Sequence, residues 1–493
     1  MKRWLVALIA VGLLVAAALV AVPVLEERAA AEVKRALESD GSTKVGKVEV
    51  GLFARRIVLE DLRLAGKGPG GSIKRAEGSG LAWPLGELLS GRTPLAGWKI
   101  GDPLQAEYFE LKDFDLVDPL GGGRWSAHEL TVDGLDLARF DGRYTGQYPA
   151  ALLTARALAA LTMRRLEAGN LMVALPGTGD TIGTARATVE RYDRGRIETL
   201  VLSGTEATAK DEPTPLYKLE RITARKLDWS RILAAVSSAG WVPGAPIGRL
   251  DVDEFSVTGF GGQVFSNYGI SLKGVNLKTE RDGEQKSRSR LRIEGFTYSP
   301  PLRSLQNAQA RLALTAMGLT EVKLDLDCAG SADRQKGELG FGPCKLTGAG
   351  LGEVEASGRI VRGDPPFWRG VDDGDVVALG ESKAALGSAK LVVVDKSFLE
   401  RGLKLLSTYG GRSVVETRKN LAQEIRNYQP TDVMISQDLT KFLDTLARFV
   451  EQGGTLTVEA KPEQPLDVAR LQALLQPGAD VVAALGLTAS LSR

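Results

Sequence analysis

The chain has a single histidine, His128. That fact alone excludes a zinc site with two or more imidazole ligands and any H-E-x-x-H motif. A Ser-His-Asp triad would rest on His128 alone. It stands in Ala127-His128-Glu129-Leu130, entering an alternating strand pattern, and no G-x-S-x-G elbow occurs. His128 therefore reads as an ordinary strand-end residue. Gly177-Thr178-Gly179-Asp180-Thr181-Ile182-Gly183 has the outline of a phosphate loop, but Thr184 to Val189 alternates like a strand where a dinucleotide fingerprint needs a helix. It reads as a glycine turn. No Walker A sequence is present. Asp372-Asp373-Gly374-Asp375 lacks the ligand spacing and closing glutamate of an EF-hand and reads as a polar turn. Asp325 and Asp327 alternate with Leu324 and Leu326, which places them on the solvent side of a strand. No spacing of Asp and Glu singles out an acid–base pair. The expectation is a protein that is not an enzyme and takes no cofactor or metal.

The two cysteines, Cys328 and Cys344, flank Gly330 to Gly337, which reads as a hairpin turn between Val322-Leu324-Leu326 and Leu339-Phe341. In a symmetric hairpin the two thiols face each other, and a disulfide there would pin the register. The alternative is two independent thiols packing as small hydrophobes.

What must position any binding surface is a recurrent strand. The pattern apolar-x-apolar-x-x-apolar-x-apolar occurs at Phe109-Leu111-Phe114-Leu116, Leu130-Val132-Leu135-Leu137, Tyr217-Leu219-Ile222-Ala224, Ile222-Ala224-Leu227-Trp229, Leu250-Val252-Phe255-Val257, Ile270-Leu272-Val275-Leu277, Leu291-Ile293-Phe296-Tyr298 and Leu339-Phe341-Cys344-Leu346. With 43% apolar residues, chance gives roughly two such windows. Period-two alternation puts one face of each strand on an apolar surface, and a β-bulge at the double x returns the second pair to that face. Gly134, Gly274 and Gly295 sit at the slip. Starts at 250, 270, 291 and, more loosely, 312 (Leu312-Leu314-Met317-Leu319) suggest a repetitive sheet. The asparagine position of a leucine-rich repeat is filled by Phe, Val or Met, which argues against that fold.

At 493 residues, with 57 glycines and a net charge of +2, the chain suits a large turn-rich β protein and carries no nucleic-acid footprint. Met1-Lys2-Arg3 precedes an apolar run from Trp4 to Leu25, with Glu26-Glu27 beyond it. The run is long enough to span a bilayer, and the flanking charges put the N-terminus in the cytoplasm and the rest outside it. A cleaved signal peptide ending near Ala16-Ala17-Ala18 is the alternative. The expected organisation is a transmembrane anchor over 1–25, a juxtamembrane helix over 26–42, and a repetitive β region over 43–390. Helical insertions are expected near 150–168 and 228–238, and an α+β capping unit over 391–493. The fold class is thus mainly β: an elongated, curved antiparallel repetitive sheet, groove or taco-like, behind one transmembrane helix.

The first 120 residues resemble the AsmA-like family of Gram-negative envelope proteins. The resemblance rests on an N-terminal anchor, a strand pair from Val48 to Leu64, and Gly80-Leu81-Ala82-Trp83-Pro84-Leu85-Gly86-Glu87-Leu88-Leu89-Ser90-Gly91 continuing to Trp98-Lys99-Ile100. The C-terminal part looks more like uncharacterised exported alphaproteobacterial proteins. The resemblance implies an inner-membrane anchor, a periplasmic β structure with a lipid-facing groove, and a role in phospholipid transport or outer-membrane and envelope assembly. The helical insertions and the C-terminal unit depart from a simple groove.

The expectation is an inner-membrane-anchored, single-pass periplasmic protein that binds or passes phospholipid along an apolar sheet face. Phe109, Leu111, Leu250, Val252, Phe255, Val257, Leu272, Val275, Ile293 and Phe296 are the candidate lipid-facing positions. The rival is a non-enzymatic scaffold with a closed core, docking envelope proteins through sheet edges or C-terminal helices. Alternation alone serves both, since any β-sandwich core shows one apolar face per strand.

Overall fold

In the computed structural model the described residues are 22–492, apart from 40, 66–69, 83–98, 118–122, 144–148, 239–241, 243–249, 303–306, 430–434, 475 and 477. The fold is mainly β, a 21-stranded antiparallel sheet with helical insertions. Two compact units divide it. One holds the chain to Leu216 plus Arg221–Asp251, the other Tyr217–Glu220 plus Val252–Arg493. Most of the expected anchor, and the segment Pro84–Leu89, lie outside the described residues. Among the described residues no helix is long and apolar enough to cross a membrane.

The first unit opens with helix α1 over 22–38, then β1 (Thr43–Lys44), β2 (Lys47–Gly51), β3 (Arg56–Leu64), β4 (Gly70–Ser79), β5 (Leu104–Val117) and β6 (Arg124–Leu137). Helix α2 (Pro149–Ala160) precedes β7 (Leu161–Ala174), β8 (Thr181–Asp193), β9 (Arg196–Thr208) and β10 (Tyr217–Asp228), and α3 (Ser230–Val236) follows. α1 lies on the apolar face. Ala29 and Val33 are fully buried in one cluster with Leu59, Leu62, Leu111 and Phe114. Its polar side chains also complete the neighbouring backbone. Glu26 accepts from Leu52 N at 3.0 Å, Glu38 accepts from Val45 N at 3.0 Å, and Lys34 donates to Gly46 O at 3.0 Å.

The helix expected over 150–168 ends at Ala160, and Leu161–Ala174 is a strand paired on both sides, with β6 and β8. Two ladders of backbone hydrogen bonds outweigh the local helix propensity of this Leu- and Arg-rich segment. Arg164 and Arg165 are thus strand residues. The glycine turn is as expected, with Leu175 and Asp180 closing the link from β7 to β8.

The phase slips take a form in this unit other than the expected bulge. Asp61 (φ 50°), Asp113 (47°), Asn170 (50°) and Gly204 (62°) are left-handed residues in β3, β5, β7 and β9. They face Lys74, His128 and Ala185 of the intervening strands. The register is unchanged across them: Arg75↔Lys112 and Ile73↔Phe114 on one pair, Lys112↔Glu129 and Phe114↔Ala127 on the next. A bulge would shift that register. Here a left-handed residue reverses side-chain parity instead, so Leu111 and Phe114 reach the same core. Asp and Asn tolerate this conformation better than other side chains. The result is a seam running from strand to strand.

The second unit contains β11 (Glu254–Gly261), α4 (Gln263–Tyr268), β12 (Ile270–Ser271), β13 (Gly274–Asp282), β14 (Lys286–Tyr298), α5 (Ala308–Ala316), β15 (Val322–Asp333), β16 (Glu338–Gly348) and β17 (Gly352–Val361). Then come α6 (Pro365–Asp373), α7 (Val376–Glu381), β18 (Ala385–Asp395), α8 (Phe398–Gly410), α9 (Val414–Arg426), α10 (Gln437–Gln452), β19 (Thr455–Ala460), β20 (Leu466–Asp467), α11 (Val468–Ala473), α12 (Val481–Leu485) and β21 (Leu487–Ser492). Here register-shifting irregularities do occur, between Ile293 and Phe296, Cys328 and Gly330, and Phe341 and Cys344. Gly295 is left-handed (φ 65°) at such a shift, whereas Gly134 (62°) in the first unit is left-handed with the register unchanged across it. Gly274 opens β13 without a positive φ. The loose window at 312 is helical, with Leu314 buried and Leu312 exposed, so the 20- to 21-residue spacing stops at 291. The boundary expected at 391 falls within β18, which pairs with β17 on one side and with β19 and β20 on the other.

The C-terminal helices follow their sequence signals. Ser413 and Glu416 form a capping box on α9, and Ser436 caps α10 by accepting from Leu439 N. The apolar stripe of α10 buries Leu439, Phe449 and Val450, and Gly453 (φ 68°) ends it. Arg426 ties α9 to α10 through Glu451 at 2.7 and 2.9 Å and Asp444 at 3.1 Å.

Candidate ligand face

Strand registers in the second unit line the apolar residues up in rows. One row reads Val257, Val275, Ile293, Leu326, Leu346, Val354, Val393, Leu456 and Leu491; the next reads Phe255, Leu277, Leu291, Cys328, Cys344, Ala356, Leu391 and Val458. The opposite face is polar, with Asn276, Arg292, Asp327, Lys345 and Glu355 in register. Arg290 forks onto Asp327, and Arg292 reaches it at 3.3 Å. These guanidinium contacts, the Arg290 hydrogen bond first, hold the Asp327 carboxyl below its ordinary range. One face is therefore built for water and the other is not.

The apolar face is closed at its ends and open between them. Phe367 and Trp368 of α6 pack on Ala332, Leu339 and Ile360. α10 lies against β19 and β21, where Leu456 is buried. Between these covers, no apolar side chain of β12–β17 is buried among the described residues. Phe341 is 43% exposed, Leu346 38%, Val354 37% and Leu391 38%. Leu346 and Val354 are direct cross-strand partners, and Phe341 lies over Gly358, whose added Cβ would meet the ring at 2.3 Å. Glycine at 358 thus leaves room for the ring to lie flat on the sheet.

Cys328 and Cys344 are directly opposite each other in this face and form a disulfide. The hairpin around them is tighter than expected. Its strands run on to Asp333 and Glu338, so Gly330 belongs to β15 and the turn is only Arg334 to Gly337.

The sequence candidates divide between environments. Val275, Ile293 and Phe296 are half-buried residues of the second unit's strands, and Val257 is buried at the end of its row. Phe255 and Leu272 are half-buried as well. Leu250 and Val252 precede β11; Leu250 is 52% exposed and Val252 buried. Leu111, 8% exposed, is buried in the first unit's core beneath α1, and Phe109 packs half-buried against it. None of Phe341, Leu346, Val354 and Leu391 is among those candidates: Phe341 and Leu346 stand in a signature window, while Val354 and Leu391 lie in no full repeat of the signature. Short alternations, Val354-Ala356 and Leu391-Val393, were the available signal. His128 pairs with Asp113 at 2.6 Å, and Lys74 approaches the same carboxylate at 3.5 Å, on the exposed seam.

A family model described as "Uncharacterized protein" matches residues 345–491. No curated protein matches the chain. The match covers β16 from Lys345 through β21, and so includes Leu346, Val354 and Leu391 together with the C-terminal helices.

Proposed function

We propose that the protein is a membrane-anchored, periplasmic lipid-binding protein that holds phospholipid acyl chains on the apolar face of β13–β18 and serves envelope maintenance. The observation that carries the reading is the run of partly exposed apolar residues Phe341, Leu346, Val354 and Leu391 between two covered ends. Contiguous exposed apolar surface of this kind marks a ligand or partner site. The mechanism is passive: acyl chains lie along the rows and headgroups stay in water. The Cys328–Cys344 disulfide accords with an oxidising compartment. The AsmA-like features of the N-terminal region favour an inner-membrane anchor over 4–25 and a curved, groove-like sheet.

Lipid mass spectrometry on the gently extracted full-length protein tests the reading, alongside Leu346→Asp/Val354→Asp. Both side chains are exposed enough for the variant to fold, and it is expected to lose phospholipid that the parent retains. Equal lipid in a folded variant would sink the proposal. A chain lacking residues 1–21 separates sheet-bound from annular lipid. Starting later, at Thr43, would strip α1 from the core it closes.

The scaffold reading has its own observation. Phe398, Leu406 and Tyr409 stand exposed along one side of α8. Removing residues 391–493 would cut β18, so Leu406→Asp/Tyr409→Asp is the cleaner probe. Docking through this helix predicts that the variant loses co-purifying envelope proteins while keeping its lipid.

A further inference from the structure

The polar face of the second unit holds a cleft of about 600 Å³ over the ends of β13–β17. A hollow of about 410 Å³ shares Lys336, Glu338 and Arg359 with it. The floor exists because Ser331 and Gly340, paired in register, carry almost no side chain. A Cβ at Gly340 would meet Ser331 Oγ at 2.7 Å. Arg288, in register with Ser331, stands on one side of this floor, and Arg359, in register with Gly340, on the other.

Apart from Arg281, which pairs with Asp253, the cations of the cleft differ from those on the rest of the face. Arg290, Arg292 and Lys345 each have a carboxylate within 3.3 Å. In the cleft, Arg359 is 3.6 Å from Glu338 and Lys286 is 3.8 Å from Asp333, too far for direct hydrogen bonds. Among the described residues no carboxylate lies within 4.0 Å of Arg288, Lys336 or Arg362, although Glu280 is the cross-strand neighbour of Arg288. Four carboxylates line the cleft: Glu280 contacts Lys278 at 3.1 Å and Asp333 accepts from the Lys336 backbone N–H at 3.1 Å, while Asp282 and Asp333 stand in register with Lys286 and Glu338 approaches Arg359. An ordinary solvated face brings its cross-strand charges into close contact, as this one does elsewhere, whereas here the facing charges stand farther apart. Unspent guanidinium and ammonium groups around a floor of small residues are the donors a phosphate requires.

We propose that this cleft is a phosphate-binding site in which Arg288, Lys336 and Arg359 hold the phosphate of a phosphate ester over Ser331 and Gly340. It lies on the face opposite the apolar rows, so its ligand is not the lipid whose acyl chains those rows would hold. The phosphate comes either from a soluble ester or from a headgroup at a bilayer surface.

The test is titration of the full-length protein in detergent with inorganic phosphate and with glycerol 3-phosphate, followed by calorimetry. Arg288→Gln/Lys336→Gln is compared with Arg292→Gln, a paired arginine of the same face. All these side chains are exposed, and circular dichroism checks that each variant folds. At least tenfold weaker phosphate binding in the double variant, with Arg292→Gln unchanged, supports the site. No binding by the parent, or equal binding by all three proteins, overturns it. Co-sedimentation with phosphatidylglycerol vesicles, competed by inorganic phosphate and lost in the double variant, assigns the headgroup source. Phosphate binding without co-sedimentation assigns the soluble ester. Failure of lipid retention by the apolar face leaves this result untouched.

Discussion

At the scale of single residues, the charges in the first unit are arranged to be satisfied in pairs across strands. Glu77 accepts from Arg56 at 2.6 and 2.9 Å and from Arg75 at 2.9 Å, and its side chain is only 14% exposed. These contacts, the Arg56 hydrogen bond first, pull its pKa down to about 2. A carboxyl whose pKa is lowered in the folded state stabilises above its unfolded value, about 4.3, and that contribution disappears as pH falls toward 2. The thermal midpoint of the parent should therefore drop between pH 4.5 and pH 2, and Glu77→Gln should flatten that drop. At pH 7, Glu77→Gln should cost about 1–3 kcal/mol in urea unfolding, because two guanidinium groups lose their acceptor. An unchanged pH profile in Glu77→Gln would refute the assignment. Leu403, 2% exposed in α8, gives a core test: Leu403→Ala should cost about 2–5 kcal/mol.

At the scale of elements, the slip in the repeated signature decides which way each strand's second half points. Where a left-handed Asn makes the slip, glycine can replace it. Asn170→Gly should leave stability within about 1 kcal/mol of the parent, since relief at φ 50° offsets the extra freedom of the unfolded chain. Gly342→Ala should be severe, for its φ is 91° and a Cβ would lie 2.4 Å from Ala356 O. Urea midpoints of the two variants, measured side by side, check the contrast. The sequence showed that each slip returns apolar residues to one face, because burial demands it. It did not show how, because a bulge and a left-handed residue leave the same spacing. Alternation also placed the strands of β13–β16 well. It failed at Leu161–Ala174, where pairing with two neighbours overrides a helical-looking composition, and at Leu312–Leu314, where two leucines two apart belong to a helix. The open face was legible only as apolar rows; whether something covers them depends on where α1, α6 and α10 pack.

At the scale of the whole molecule, covalent closure and surface chemistry set the remaining expectations. The Cys328–Cys344 bridge spans 16 residues. By loop-closure entropy it should contribute about 3 kcal/mol. Cys328→Ser/Cys344→Ser, or reduction of the parent, should lower the denaturant midpoint accordingly, while a change within error would mean the strands hold the hairpin unaided. The rows of the apolar face carry a further implication. Neighbouring strands are spaced by about 4.8 Å, so Val275, Ile293, Leu326, Leu346 and Val354 form a rail of nearly equal rungs. A hydrocarbon laid across such a rail gains almost the same contact after each step of one strand. The surface would then grip without seating: a bound chain slides in short, low-barrier hops, and chains of different length bind with nearly equal strength per rung. Friction along the sheet, not a fitted cavity, would set how fast such a ligand travels.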